Sequence, residues 1–106
     1  MFNDLIYYIP CTKTDCNEVK LAFYPDDYNL IIEEINIDLI WIKIDGSIPI
    51  TGEKSNIMVH NNWMLNSNDV ELGDTIIKRE GSLDVAIHKK DTILQFKWHC
   101  KGKTFT

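Results

Sequence analysis

The amino-acid sequence predicts an all-β fold, a small antiparallel barrel or sandwich of six to seven short strands. Sixteen of the 106 residues are isoleucine, and a branched Cβ favours strands over helices. Short extended runs alternate with short polar turns along the chain. Since there is no internal repeat or flexible linker, we expect residues 1–106 to form one compact β domain, with one short helix as the alternative to an all-strand chain.

The first 24 residues contain one clear strand pattern and one ambiguous segment. Leu5–Ile9 is predicted as the first strand, because Pro10 follows it. Asp15 and Glu18 have the spacing of a helix capping box, whereas Val19–Tyr24 alternates like a strand. The strand is the favoured interpretation of this second segment.

The most apolar segment, Leu30–Ile44, is predicted as a strand that runs from the edge of a sheet into its centre, with Trp41 in the core. The polar tripeptide at 45–47 is expected to end it. Residues 48–51 contain Pro49, which favours a loop or an edge position. Asn56–Trp63 is the next extended run.

The C-terminal third predicts an antiparallel meander. Its extended runs are separated by polar turns at 80–81 and 89–91, and these runs are Asp74–Lys78, Ser82–His88 and Thr92–Trp98. Gly73 and Asp74 form the kind of pair that opens a hairpin, because glycine accepts positive φ and aspartate bonds the nearby backbone.

The charge is uneven, which points to a partner of opposite charge. The formal net charge is −5, and residues 1–50 carry three lysines against nine acidic residues. An acidic face repels nucleic acid and anionic membranes and attracts a basic protein surface. The candidate contact residues are the paired acids Asp26, Asp27, Glu33 and Glu34. The alternative is a solvated surface that keeps the protein in solution.

The cysteines allow three interpretations. Cys11, Cys16, His99 and Cys100 are a weak candidate zinc set, since thiolate and imidazole are zinc ligands but adjacent His99 and Cys100 point to opposite faces of a strand. Free thiols are the favoured interpretation. The third is one disulfide from Cys11 or Cys16 to Cys100, which would tie the two ends of the chain together.

No catalytic or cofactor motif is present in the sequence. It has no phosphate-binding glycine loop, no G-x-S-x-G elbow and no H-E-x-x-H pair. We therefore expect neither an enzyme nor a bound cofactor.

Two tryptophans with polar neighbours support an alternative function. Trp63 follows two asparagines and Trp98 lies between Lys97 and His99, so either indole could be exposed. Exposed Trp63 or Trp98 beside Lys97 and Lys101 would suit single-stranded nucleic acid, with bases stacked on the ring. The competing interpretation is that Phe96 and Trp98 share one inward face.

The sequence as a whole predicts a small acidic binding module that acts through protein–protein contacts, of the inhibitor or immunity-protein type. A nucleic-acid-binding barrel is the alternative. Met1–Pro10 lacks the basic segment of a signal peptide, and the longest apolar stretch, 39–42, is too short to cross a bilayer. We therefore expect a cytoplasmic protein without membrane contact.

Overall fold

A computed structural model describes residues 15–106, in which eight strands and one short helix are arranged as an antiparallel, sandwich-like fold. The helix α1 is Cys16–Val19, and 3₁₀ turns occupy Lys20–Ala22 and Ser67–Asp69. The strands are β1 (Tyr28–Ile37), β2 (Trp41–Ser47), β3 (Lys54–His60), β4 (Thr75–Lys78), β5 (Val85–His88), β6 (Ile93–Phe96), β7 (Trp98–Cys100) and β8 (Lys103–Phe105).

Six strands form one sheet in the order β3-β2-β1-β4-β5-β6, and β7 and β8 form a separate two-stranded sheet. All pairings are antiparallel. The prediction of an all-β fold with a C-terminal meander is confirmed, since β4, β5 and β6 are neighbours in both chain and sheet. The sheet does not close into a barrel, so the sandwich is the correct alternative of the two.

The long strand β1 joins two halves of the sheet, because its residues 28–31 pair with β4 and its residues from Ile31 onward pair with β2. The register with β2 shifts between Ile32 and Glu34. Such a bulge bends a strand and increases its twist. Gly46 lies opposite Ile32 at this bend, and a Cβ at position 46 would overlap the carbonyl oxygen of Ile31.

The core lies on one face of the six-stranded sheet. Alternate residues of β1, β2, β4 and β5 point inward, and these are Leu30, Ile32, Ile42, Ile44, Ile76, Val85 and Ile87. The other side of the core comes from loops and from β7, through Trp63, Leu65, Val70, Leu83 and Trp98. One face of the sheet is therefore covered by segments that contribute no strand to it.

Two buried indoles are the largest core side chains. Trp63 is 2% exposed and Trp98 is 0% exposed, and the Phe23 ring packs edge-on against both at 5.7 and 5.3 Å. The expectation of an exposed Trp63 or Trp98 is therefore wrong. Trp41, expected in the core, lies half-buried on the other face of the sheet, where it packs on His60.

Residues 16–22 are helical rather than extended, so the strand favoured for Val19–Tyr24 is wrong. Asp15 caps α1 by accepting a hydrogen bond from the Asn17 N–H at 2.9 Å, which is the N-cap role that the sequence indicated for it. Cys16 of α1 forms a disulfide with Cys100 of β7, and the sequence separation is 84 residues. Of the three cysteine interpretations, the disulfide is correct for Cys16 and Cys100. Cys11 and the predicted strand Leu5–Ile9 lie outside the described residues.

The predicted strand Leu30–Ile44 is two strands joined by a tight turn at 38–40. The tripeptide at 45–47 belongs to β2 and does not end it. The run Asn56–Trp63 ends as a strand at His60, because the chain then turns to carry Trp63 into the core.

We predict that Gly46→Ala lowers the free energy of unfolding by about 2 to 3 kcal/mol, because the new methyl group must displace the backbone of β1. Urea denaturation measures this. Ser55→Ala is the control, since Ser55 of β3 pairs with Gly46 of β2 and is exposed. Equal stability of Gly46→Ala and Ser55→Ala would contradict the close approach of β1 and β2.

We predict that the Cys16→Ser and Cys100→Ser double variant loses about 4 kcal/mol of stability, because the disulfide closes a long loop in the unfolded chain. Denaturant curves with and without reducing agent measure the loss. The wild-type protein should become as unstable as the double variant when it is reduced, and the double variant should not respond to reductant. A wild-type curve that reductant leaves unchanged would contradict the disulfide.

Candidate functional site

An open groove of about 720 Å³ lies at one end of the sheet. It is bounded by the β1–β2 turn, the end of β3, the loop that follows, and the β7–β8 hairpin. Three of its residues have large apolar side chains that point into solvent: Leu39 is 95% exposed, Met64 72% and Ile40 60%. We call Leu39, Ile40 and Met64 the apolar turn cluster.

Asp38 fixes the first two residues of the apolar turn cluster. Its Oδ1 accepts hydrogen bonds from the backbone N–H groups of Ile40 and Trp41 at 2.8 and 2.7 Å. These bonds stabilise the charged carboxylate and hold the pKa of Asp38 below its usual value. Leu39 and Ile40 occupy the tip of a hairpin, where glycine, asparagine or aspartate is usual, and their side chains add almost nothing to the core.

Asn61 holds the loop that carries Met64. Its amide nitrogen donates to the carbonyl groups of Asp38 and Leu65, both at 2.9 Å, and its amide oxygen accepts the Leu65 N–H. One side chain therefore joins the β1–β2 turn to the loop after β3. As a result, the backbone that carries the three exposed side chains is held by the hydrogen bonds of Asp38 and Asn61.

The groove also contains unusual backbone conformations. Met64 has φ 59° and Lys101 has φ 52°, and among residues 15–106 these are the non-glycine residues with positive φ. Both line the groove. Lys101 and Gly102 are the two residues between β7 and β8, where the favoured hairpin turn requires positive φ at both positions. Met64 is outside such a hairpin, so its left-handed backbone costs free energy of the kind that occurs at functional sites. The strained residue is therefore one of the exposed apolar residues.

Polar residues form the rim of the groove. The His60 ring packs on Trp41 at a centroid distance of 4.3 Å, and the His99 Nδ1 lies 3.2 Å from the Thr104 hydroxyl. Asn62 joins the rim to β7, since its side chain donates to the His99 carbonyl at 3.0 Å. An apolar centre with a polar rim is the usual composition of a protein-binding surface.

The candidate zinc ligands do not form a metal site. Cys16 and Cys100 are bonded to each other, so neither sulfur is a thiolate that can bind zinc. Within residues 15–106, no group of three or more histidine, cysteine, aspartate or glutamate side chains is placed to hold a metal ion.

The four predicted acidic contact residues lie in two separate pairs. Asp26 and Asp27 precede β1, where the Asp27 carboxylate accepts the Glu80 N–H at 3.1 Å. Glu33 and Glu34 lie at the bulge of β1. Glu33 is paired with Lys54 at 2.8 Å, which lowers the pKa of the glutamate.

A buried lysine supports the first acidic pair. Lys78 is 1% exposed, and its Nζ donates to the Asp26 carbonyl at 2.8 Å. Burial lowers the pKa of Lys78, whereas the nearby charges of Asp26 and Asp27 act to raise it. Tyr28 pairs with Lys78 across the strands, and burial together with Asp26 raises the pKa of its hydroxyl.

The residues predicted for nucleic-acid binding are engaged in other contacts. Both indoles are buried, and Trp63 Nε1 donates to the Leu83 carbonyl at 2.6 Å. Lys97 is paired with Asp84 at 3.0 Å. Lys101 lies at the β7–β8 turn, on the rim of the groove. The indoles therefore offer no stacking surface for bases.

Sequence reasoning missed Leu39, Ile40 and Met64. The sequence offered one weak signal of a turn, which is Asp38 directly before Leu39 and Ile40. These residues were instead assigned to a continuous strand. No motif marked Met64, whose conformation depends on contacts distant in sequence.

No family model, curated protein or solved structure matches this chain. None of the helices within residues 15–106 combines the length and the apolar character needed to cross a membrane.

We predict that the stability difference between the wild type and Asp38→Ala depends on pH. The lowered pKa means that the carboxylate stabilises the fold fully above its unfolded pKa of about 4, and that this contribution disappears as the pH falls through the lower folded pKa. The difference in unfolding free energy should be constant from about pH 7 to 5 and should shrink below pH 4. Urea curves at several pH values measure it. A difference that stays constant to about pH 2 would rule out the carboxylate as its source.

Proposed function

We propose that this protein is a protein-binding module and that the apolar turn cluster is the centre of its binding surface. The observation that carries the proposal is that Leu39, Ile40 and Met64 are exposed on turns held by Asp38 and Asn61. Isolated exposed apolar residues are common, but grouped ones on rigid backbone mark interaction surfaces. A fixed surface binds well because little conformational entropy is lost on association.

The shape and chemistry of the groove favour a protein over a small molecule. The groove is open, and its apolar side chains project outward rather than lining an enclosed cavity. Small-molecule sites enclose most of the ligand surface. Apolar side chains that project from the surface instead suit the apolar centre of a protein–protein interface.

The acidic charge favours a partner with a basic surface. Glu34 pairs directly with Asp45 across β1 and β2, and both are exposed. Two neighbouring exposed carboxylates are a site that a lysine or arginine of a basic partner complements. Together with the net charge of −5, this supports an inhibitor or immunity-type role in which charge accelerates association.

The disulfide bears on the compartment. Bonds such as Cys16–Cys100 persist in oxidising environments and are rare in the cytosol of most organisms. We therefore favour an oxidising compartment over the cytoplasm expected from the sequence.

Photo-crosslinking tests the proposal. A photoreactive residue at position 64 should capture a partner in cells that express the protein, and mass spectrometry identifies it. We predict that Leu39→Ser with Ile40→Ser weakens binding of that partner at least tenfold, because about 1.4 kcal/mol or more of apolar contact is lost.

The chain offers a matched control in Ile50, which is 96% exposed in the turn between β2 and β3. Ile50→Ser removes an equally exposed apolar side chain and should change the affinity less than twofold. The proposal is overturned if Ile50→Ser weakens binding as much as the double variant does, or if the double variant binds like the wild type.

A further inference from the structure

The edge strand β3 is unpaired on one side. Within the part of the chain that the structure describes, β3 pairs only with β2 and forms one end of the six-stranded sheet. An edge strand presents unused N–H and C=O groups, and proteins usually protect such edges with charges, prolines or bulges. Residues 55–59 contain no charged residue and no proline, and their register with β2 is unbroken. This edge therefore remains able to pair with another strand.

The opposite edge of the sheet is less suitable. β6 has four residues, Ile93–Phe96, compared with seven in β3. Each edge has a lysine at one end that is paired with a carboxylate, Lys54 with Glu33 at β3 and Lys97 with Asp84 at β6. Very short edge strands are a protected kind, so the longer β3 is the edge that can accept a strand.

A cleft of about 410 Å³ runs beside β3. Ser55, Asn56, Ile57, Met58 and Val59 all line it. Consecutive side chains of a strand point to opposite faces, so a cleft that contacts all five residues follows the edge of the strand rather than one face of the sheet. The space therefore lies where an added strand would bind.

The other wall of the cleft is acidic. It consists of Asp26, Asp27 and Tyr28, and among residues 15–106 no lysine, arginine or histidine lines the cleft. Lys78 and the Glu80 N–H hold this wall in place by bonding the Asp26 carbonyl and the Asp27 carboxylate. A positively charged side chain is the chemical complement of the Asp26 and Asp27 carboxylates.

We propose that β3 accepts an extended segment of a partner protein as a seventh strand of the large sheet, with a lysine or arginine of that segment beside Asp26 and Asp27. This inference rests on the proposed protein-binding function and names the chemistry of the partner. Main-chain hydrogen bonds to β3 supply affinity, and side-chain contacts supply specificity. Ile57 and Val59 are half-buried toward the core, and Met58 is 60% exposed on the other face, so apolar side chains of the segment have contacts on both sides.

The test uses a seven-residue peptide with capped ends, which has a lysine at each end and alternating threonine and valine between them. The peptide is titrated into the ¹⁵N-labelled protein. We predict that amide shifts change in β3 and in residues 26–28. A version of the peptide that is N-methylated at every position between the lysines keeps the side chains but blocks both edges of the strand. It should fail to bind, because the methyl groups remove the main-chain N–H donors that pair with β3.

Charge is tested by Asp26→Asn with Asp27→Asn, which should weaken peptide binding about threefold to tenfold at low salt. Asp91→Asn is the control, since Asp91 is exposed in the distant β5–β6 turn. It should leave the peptide affinity unchanged.

The proposal is overturned if the peptide causes no shifts in β3 at millimolar concentration, if the N-methylated version binds like the parent, or if the Asn variant binds like the wild type. It is also overturned if the β3 amides of the free protein are all protected from hydrogen exchange, which would show the edge already occupied by another part of the chain or a second copy. These results leave the Leu39 and Ile40 experiment unaffected, so the two proposals fail separately.

Discussion

The packing of Trp63 and Trp98 beneath the large sheet is the interaction on which the rest of the structure depends. Neither residue belongs to that sheet, and Phe23 from the segment after α1 contacts both indoles. The same packing positions the groove, because Met64 follows Trp63 directly and the rim residue His99 follows Trp98. Burial of the indoles therefore decides where the exposed side chains stand. The Cys16–Cys100 disulfide closes this assembly by joining α1 to β7.

The sequence predicted the meander well because its signals are local. Alternation within β4, β5 and β6 and polar turns between them are properties of a few neighbouring residues. The tryptophans were misassigned because polar neighbours were taken as a sign of exposure. Asn61 and Asn62 are polar for another reason, since their side chains bond backbone carbonyl groups and fix the chain around Trp63. The polar neighbours of Trp63 therefore hold the backbone that places its indole in the core.

The candidate site was harder to predict than the fold. A run of apolar residues at 39–42 matches a buried strand, and the turn within it lacks glycine, proline and asparagine. Asp38 replaces them by bonding two backbone N–H groups. A prediction that treats every apolar residue as buried fails where apolar residues such as Leu39 and Ile40 are exposed at the surface. The acidic pair at Asp26 and Asp27 was found from its charge, but its position opposite β3 depends on contacts with Lys78 and Glu80 that only the fold brings together.

The strand β3 lies between the two proposed contact regions. Its middle residues line the cleft walled by Asp26 and Asp27, and its last residue, His60, lines the groove beside the apolar turn cluster. Seven residues extend about 20 Å at roughly 3.3 Å each, which is within reach of one partner. An added strand that slips by one residue turns all its side chains to the other face. A charge contact at Asp26 and Asp27 and an apolar contact at the apolar turn cluster would prevent that slip. One contact alone leaves the register of the added strand open, whereas the two contacts together would select a single register.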